Sequence, residues 1–550
     1  MGEKTTATMA AAGLASMYVC HDYLNYQKFA NCVQERNDRT TKTIEAGLEW
    51  FDKNFTKTLK TRVGHGDHYY HLYGVERIGL ASGYKYFGNV DWYRTGTKML
   101  LAYQKDDGSF EKGKYSKVIS TSYALLFLIR GRRAVILNKL RFDGDWNNRP
   151  RDCANYTKWV FQNFENEVAW QIINMSVPVR EWHDAPILYI SGSRAPNFTD
   201  DQIARLREFV FQGGTIFSVS ECGGREIGAD KGFSKGIRDA YARMFEKYEL
   251  TKVPADHAIY SREALYDLRG AVPLYQVNNG IRPLVIHTDV DLSQSWQLRR
   301  SGTFKTHYQV LANVLAYTNG KKALKGGLRA RGTSLWPEEP QQKPSATIKV
   351  ARIRHAGNFD PEPLAMERLS RLMTADCNVG LDVVGDKTPS ELNDKVQVAM
   401  LTGTGSFNLP ASEQKALAEW VNAGGTLVID AAGGKREFSR AAEDAIQSMF
   451  GRRSLRYLRG NDKVFTLKGA EIRKSRLRGS GRGTSQLPVL DTVRVKNRPA
   501  VYFSRDDLTA GLVGYNCIAV EGHEPENAYK IMRNIMLVAA DMEYKPNNGD

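Results

Sequence analysis

At 550 residues, with 42% hydrophobic and 25% charged side chains, the chain has room for three ordinary domains and the composition of a globular protein rather than a disordered one. The most apolar stretch, 123–129, is far too short to cross a bilayer, and no secretory leader is visible, since 9–18 follows a charge-balanced start and reads as an amphipathic helix. The excess of 77 Lys+Arg over 61 Asp+Glu, a net +16, favours anionic partners, while six scattered cysteines without a CxxC argue against a zinc ribbon, a thioredoxin-type motif or a disulfide-dense scaffold.

Residues 1–133 read as all-helical, because apolar positions recur at three and four residues and the breaks are rich in Gly, Asp and Lys. Helices are expected over about 6–23, 41–55, 68–82, 91–104 and 118–130. Between the last two lies Gln104-Lys105-Asp106-Asp107-Gly108-Ser109-Phe110, a helix-ending Gln, an acidic turn, a glycine and an aromatic. This segment resembles the QxxDGSW repeat of the squalene-cyclase and prenyltransferase superfamily, and Tyr69-Tyr70-His71-Leu72-Tyr73 through Arg77 is similar to an aromatic helix of its bacterial members. The resemblance implies that Gln104, Asp107, Gly108 and Phe110 tie successive helices of an α/α toroid together. It carries no catalysis with it. The cyclases' DxDD proton donor is absent, and the prenyltransferases' zinc ligands have no counterpart. The helices are too few for a complete ring, so the expectation is a partial toroid, vestigial or cut from a longer protein. His65, Asp67, His68 and His71 have metal-ligand composition, with His68 and His71 on one helix face; packed or solvated histidines are the preferred reading, and no metal or cofactor is assigned.

The remainder is a duplication. Lys139-Leu140-Arg141, Gly144 and Pro150, the apolar run 185–193, and Phe211-Gln212-Gly213-Gly214-Thr215 are answered in order by Arg352-Ile353-Arg354, Gly357 and Pro363, the run 398–406, and Val421-Asn422-Ala423-Gly424-Gly425-Thr426. Phe233-Ser234, Met244-Phe245 and Arg282-Pro283 then meet Phe438-Ser439, Met449-Phe450 and Arg498-Pro499. So many spaced features in one order mean two domains of one fold. Strands at 134–140, 187–191, 215–220 and 283–287 alternate with helices at 154–164, 200–211, 236–247 and 307–319 in the first copy; strands at 348–354, 398–402 and 426–430 and helices at 411–422, 440–449 and 526–539 repeat this in the second. Such alternation implies parallel sheets covered on both faces. The expected domains are 1–133, 134–322 and 347–545, with the Gly- and Pro-bearing 323–346 as a linker.

His355-Ala356-Gly357-Asn358-Phe359-Asp360-Pro361-Glu362-Pro363, the turn Thr402-Gly403-Thr404-Gly405-Ser406-Phe407 and the strand Gly424–Asp430 resemble the bacterial family called domain of unknown function 4159. That family is common in planctomycetes, often joined to a toroid. The resemblance implies a flavodoxin-like fold similar to class I glutamine amidotransferases, and by the family's company a place in the cell envelope or periplasm; it implies no activity. Ser220-Glu221-Cys222-Gly223-Gly224 is similar to the amidotransferase turn that presents a nucleophilic Cys. Three departures weaken that parallel: Ser220 replaces a glycine, the second copy has Ala431-Ala432-Gly433-Gly434 without a thiol, and no His-x-Glu pair follows. His257 or His287 would serve as a base only if the fold brought it close. What both copies share is a glycine-bearing loop after a strand, where doubly wound folds bind ligands: Gly192, Gly223, Gly224 and Arg225 in the first, Gly403, Gly405, Gly433, Gly434 and Arg436 in the second. Asp291 and Asp507 correspond and suit loop-fixing; no carboxylate pair is duplicated at matching positions.

The densest basic run, 452–482, holds only Tyr457 and Phe465 as aromatics, too few for a single-strand nucleic-acid platform, and reads as a solvated insertion with mobile parts. The expected function is therefore binding or scaffolding of a protein, a glycan or an anion. The alternatives are a toroid enzyme acting on an isoprenoid, if missing helices lie upstream, or a Cys222-dependent hydrolase.

Overall fold

The computed structural model describes residues 6–24, 27, 39–62, 68–111, 115–222, 232–328, 331, 334–478 and 486–547. Five helices come first: α1 (Ala7–Leu24), α2 (Arg39–Arg62), α3 (His68–Ser82), α4 (Trp92–Tyr103) and α5 (Lys117–Gly131), with the short pair β1 (Tyr86–Phe87) and β2 (Val90–Asp91) before α4. α3 packs between α1 and α5. Phe51, Phe55, Tyr69, Leu72, Val75, Trp92 and Phe127 fill the space between the helices. Asp91 ends β2 and caps α4, accepting the Arg94 N–H at 2.9 Å.

The Gln104–Phe110 segment is the turn between α4 and α5. Gln104 Nε2 donates to the Gly108 carbonyl at 3.0 Å, Asp107 accepts from the Ser109 N–H and pairs with Lys117, and Phe110 is buried against Tyr69. These contacts tie α4, α5 and α3 together.

The first sheet-bearing unit comprises β3 (Ala134–Arg141), α6 (Asp152–Phe164), β4 (Val168–Asn174), β5 (Ile187–Gly192), α7 (Asp200–Phe211), β6 (Thr215–Ser220), α8 (Phe233–Met244), β7 (Leu250–Lys252), β8 (Tyr275–Asn278), β9 (Pro283–Thr288), α9 (Leu292–Gln297) and α10 (Lys305–Asn319). The second comprises β10 (Ala346–Ile353), α11 (Ala365–Cys377), β11 (Val379–Lys387), β12 (Val398–Gly403), α12 (Ala411–Ala423), β13 (Thr426–Ala431), α13 (Arg436–Phe450), β14 (Arg456–Tyr457), α14 (Lys463–Thr466), β15 (Leu477–Arg478), β16 (Asp491–Val495), β17 (Arg498–Ser504), α15 (Thr509–Leu512), β18 (Gly522–His523) and α16 (Pro525–Ala539).

Their seven-stranded sheets have the same order, β4-β3-β5-β6-β9-β8-β7 and β11-β10-β12-β13-β17-β16-β14. The first five strands of each run parallel, and the last two are joined on by antiparallel pairing. The central strands β5, β6, β9, β12 and β13 are buried on both faces, as parallel strands between helical layers must be. In each unit the first helix ends on a left-handed residue, Glu165 (φ 52°) or Asn378 (φ 57°), and turns directly into an edge strand.

The sequence expectations omit the strands β1, β2, β4, β7, β8, β11 and β14 to β18 and the helices α9, α11, α14 and α15. β11 is half-exposed and interrupted by Asp382, Gly385 and Asp386; β7 and β8 are short; β4 is an apolar run without flanking Gly or Pro. The basic run is also corrected. Val464, Phe465, Leu467, Ala470 and Ile472 are buried in the core of the second unit, so the described part of 452–482 is packed rather than merely solvated. The connection 323–346 is likewise pinned, with Trp336 buried under Arg371 beside His183.

The helical region joins the first sheet through its edge. The Lys85 N–H donates to the Ile172 carbonyl and the Ile172 N–H to the Gly83 carbonyl, at 3.1 and 2.6 Å, and Lys85, 2% exposed, pairs with Asp184 and Glu181. No helix is long and apolar enough to cross a membrane among the described residues.

Glu76 on α3 is fully buried with no hydrogen-bond partner for either carboxylate oxygen, and burial pushes its pKa from 4.5 to about 7. Because the folded value lies above the unfolded one, the carboxyl costs nothing below about pH 4.5 and its cost grows as pH rises towards 7. We predict that Glu76→Gln matches the parent in urea unfolding at pH 4.5 and exceeds it by roughly 2 to 3 kcal/mol at pH 8; equal gains at both pH values would contradict the burial argument.

Candidate functional site

In a doubly wound sheet the ligand crevice opens at the carboxyl ends of the strands, where the order reverses on either side of the first strand. Here those points lie between β3 and β5, and between β10 and β12. Around them each copy builds the same clamp. Cys222 and Gly433 occupy matching positions two residues past β6 and β13, and both are left-handed, at φ 66° and 73°. The Cys222 N–H donates to Asp291 Oδ2 at 2.9 Å and the Gly433 N–H to Asp507 Oδ1 at 2.8 Å. Each aspartate also caps the turn that follows it, Asp291 through the Gln294 N–H and Asp507 through those of Ala510 and Gly511. Each is paired with an arginine, Arg149 at 3.1 Å or Arg478 at 2.6 Å. The corresponding aspartates thus fix the glycine loops.

A second carboxyl stands by each clamp, from positions that do not match. Glu221 is 1% exposed, accepts from Asn148 Nδ2 at 2.8 Å, and shares Ser293 Oγ with Asp291. Burial raises its pKa to about 7, with Asp291 adding to the effect. Asp430, fully buried, accepts the Leu508 and Thr509 N–H groups at 3.0 and 2.8 Å and is pushed up by burial and by Asp507. Comparison of matching positions misses these pairs because Glu221 lies past its strand and Asp430 within it. All four carboxyls are committed to internal donors.

The second copy's crevice is filled by the first copy. The β8–β9 turn, 279–282, reaches into it: Asn358 Nδ2 donates to the Asn279 carbonyl at 2.8 Å, Asn279 Nδ2 donates to the Pro361 carbonyl at 2.8 Å, and a Cβ on Gly280 would overlap Thr404. A side chain at Gly433 would meet Ile281. Arg282 anchors the turn, with Nε 2.7 Å and Nη2 3.0 Å from the Glu362 carboxylate and its other donors on the Val210, Gly213 and Gly214 carbonyls ending α7. Arginine and glutamate are 4% and 0% exposed. Arg498 makes the equivalent bonds to Val421 and Gly425, but its hairpin, of the same length, pairs one step further, Val495 with Arg498, and its Lys496-Asn497 turn is exposed.

At the first copy's mouth lies a cavity of about 360 Å³ between α1, α2 and the 142–151 loop. Tyr18, Tyr84 and Trp146 give it aromatic surface, Glu45, Glu49 and Asp52 line the α2 side, and Arg141 and Asn147 line the sheet side. Arg141 lies over the Tyr84 ring, and Arg151 is held by Asp22 and the Ala81 carbonyl.

The expected residues fall out as follows. Gly192 and Gly403 make room for the Phe233 and Phe438 rings, which a Cβ would strike. Gly405 is open, Arg436 is exposed, and Gly434 abuts the Glu521 carbonyl. Gly223, Gly224, Arg225 and His65 lie outside the described residues. Cys222 is disulfide-bonded, so no free thiol stands at the turn. His257 lies against Tyr317. His287 sits 2.8 Å from Ser218 and 2.9 Å from Asp289, but serine and histidine are both fully buried inside the sheet layer. His68 and His71 are buried on α3, and among the described residues no three His, Cys, Asp or Glu side chains gather as a metal set.

A family model for a domain of unknown function (DUF4159) matches residues 134–318 and again 349–539. The chain belongs to the DUF4159 family. Each DUF4159 match spans one seven-stranded sheet with its helices, and the five-helix region lies outside both. A search of curated proteins finds no match to the chain.

Removing one partner of the buried Arg282–Glu362 pair strands the other charge. We predict that Arg282→Leu costs about 3 to 5 kcal/mol in denaturant unfolding and that adding Glu362→Leu restores part of it; a double variant no better than the single would show that the charge is not the cause. Cys222 is expected to resist iodoacetamide in the native, unreduced protein and to label after reduction, as read by peptide mass.

Proposed function

We propose that the chain is a non-catalytic binding protein whose ligand is a glycan held in the cleft between α1, α2 and the 142–151 loop. One observation carries this reading: the second of the duplicated crevices is plugged by 279–282, while a cavity with aromatic and polar walls lies beside β3 and β4 of the first unit. Trp146 offers a face for a sugar ring, and the carboxylates of Glu45, Glu49 and Asp52 with Asn147 and Arg141 offer hydroxyl partners. The three carboxylates on one wall disfavour a free anion.

The parallel strand order supports a flavodoxin-like kinship for both DUF4159 units, and the α4–α5 turn supports the partial-toroid reading of the first five helices. The Cys222 disulfide supports an oxidising compartment such as the cell envelope. It also leaves the hydrolase alternative without its thiolate.

A glycan array probed with the full chain is expected to return a saccharide whose affinity falls about tenfold in Trp146→Ala, a change of about 1.4 kcal/mol. Absence of any saccharide binding, or binding indifferent to Trp146, would overturn the assignment.

A further inference from the structure

Half of the chain's net charge sits in one short stretch. Between Gly451 and Arg478 there are ten Lys and Arg against two acids, a net +8 of the chain's +16. Arg478 is buried on Asp507 and Asp462 is buried on Arg494, which leaves nine exposed cations and a single exposed carboxylate, Glu471. Among the described residues only Lys463 of the nine has an ion partner, Asp541 at 3.0 Å. Glu471 accepts the Gly469 N–H instead, and Glu526, beside Arg476, takes Lys530 at 2.6 Å. Other exposed cations of this unit sit on acids, Lys415 on Glu419 and Arg505 on Glu443. The cations project from packed backbone: Phe465, Leu467 and Ile472 are buried beneath them, and buried Asn534 of α16 donates to the Val464 and Ala470 carbonyls at 2.8 Å. Like charges fixed this close repel one another, a cost that an anionic partner removes.

The stretch also turns a corner. Alternate residues of β12 feed two cores on opposite faces of the second sheet, one shared with α13 and the other with α16. The basic stretch leaves the end of α13, passes along the outermost strand β14, and continues over α16. Lys463 reaches Asp541 just past the end of α16, and the Arg476 carbonyl accepts the Glu524 N–H at its start. Arg452 and Arg453 therefore stand at one helical layer, Arg473 and Lys474 on the other, and Arg456 at the sheet edge between them. A flat bilayer or a straight duplex meets one side of such a corner, whereas a flexible linear polyanion follows it round. Tyr457 is the one exposed aromatic of the stretch, too few for the base stacking that a single-stranded nucleic acid uses. Six of the nine exposed cations are arginines, whose forked donors match carboxylates.

We propose that residues 452–476 are a docking surface for an acidic polysaccharide, a flexible chain of uronate carboxylates that wraps the β14 edge. Biolayer interferometry of the full chain on immobilised polyguluronate is expected to show micromolar binding that weakens about tenfold or more between roughly 50 and 200 mM salt. Arg452→Glu with Arg453→Glu alters one side of the corner, and Arg473→Glu with Lys474→Glu the other, all at exposed positions. Each pair is expected to weaken binding about tenfold without lowering the thermal melt. Should a reversal lower the melt, the corresponding glutamine pair is expected to weaken binding about threefold. No binding at low salt overturns the proposal, as does binding indifferent to either pair, since a one-sided contact needs no polymer that turns. Tighter binding to oligo(dT), or to phosphatidylglycerol vesicles, also overturns it and assigns the cations to nucleic acid or to lipid. Trp146→Ala is expected to leave polyguluronate binding unchanged, which separates this surface from the cleft beside α1 and α2; a loss there would assign the polymer to that cleft instead.

Discussion

The pairing of Arg282 with Glu362 is the constraint around which the two duplicated units are arranged. One guanidinium closes the carboxyl end of α7 and also meets a buried carboxylate from the other unit. Neither charge reaches water, so each is tolerable only while the other is in place. That couples the turn 279–282 to the loop 358–362 and fixes how the units dock. The docking then extends into the cores: Ala432, Ala510, Cys517 and Val520 of the second unit share a hydrophobic cluster with the first. Two domains of one fold behave here as one body.

Duplication also made the copies unequal. Both keep the aspartate clamp on the glycine loop, a phenylalanine against the glycine that ends the third strand, and an arginine on the carbonyls that end the following helix. The two hairpins are equally long, but the first stops pairing at Asn278 and Pro283 whereas the second pairs on to Val495 and Arg498, and the unpaired 279–282 enters the second copy's crevice. The second copy's own hairpin stays paired to Val495 and Arg498, and its turn is exposed. The crevice formed twice is therefore filled in one unit by the other, and a lined cavity lies beside the ends of β3 and β4 in the first.

Buried ionisable groups recur at these joints, and most are fully committed. Lys139 lies on Asp152, Asp507 takes Arg478 and three backbone N–H groups, and Arg151 holds Asp22 across the boundary with the helical region. Glu221 and Asp430 have raised pKa values because a low-dielectric site cannot easily hold a second negative charge beside the clamp. Perturbed carboxyls often mark catalysis. Here their partners are backbone and side-chain donors of the scaffold, which makes them fasteners of loops.

The amino-acid pattern alone determined the helical opening, the two α/β units, the repeated order of their landmarks, and the loop-fixing aspartates, because apolar periodicity, glycine punctuation and repeated spacing are local or one-dimensional signals. Edge strands such as β11 escaped it, since half-exposed residues carry no clean period, and so did the core packing of 464–472, hidden under a run of basic residues. Only the tertiary structure decided that one crevice is filled by the other unit. That depends on Arg282 meeting Glu362 and on 279–282 leaving the ladder where the equally long second hairpin stays paired, and such long-range pairing leaves no spacing for a linear chain to display.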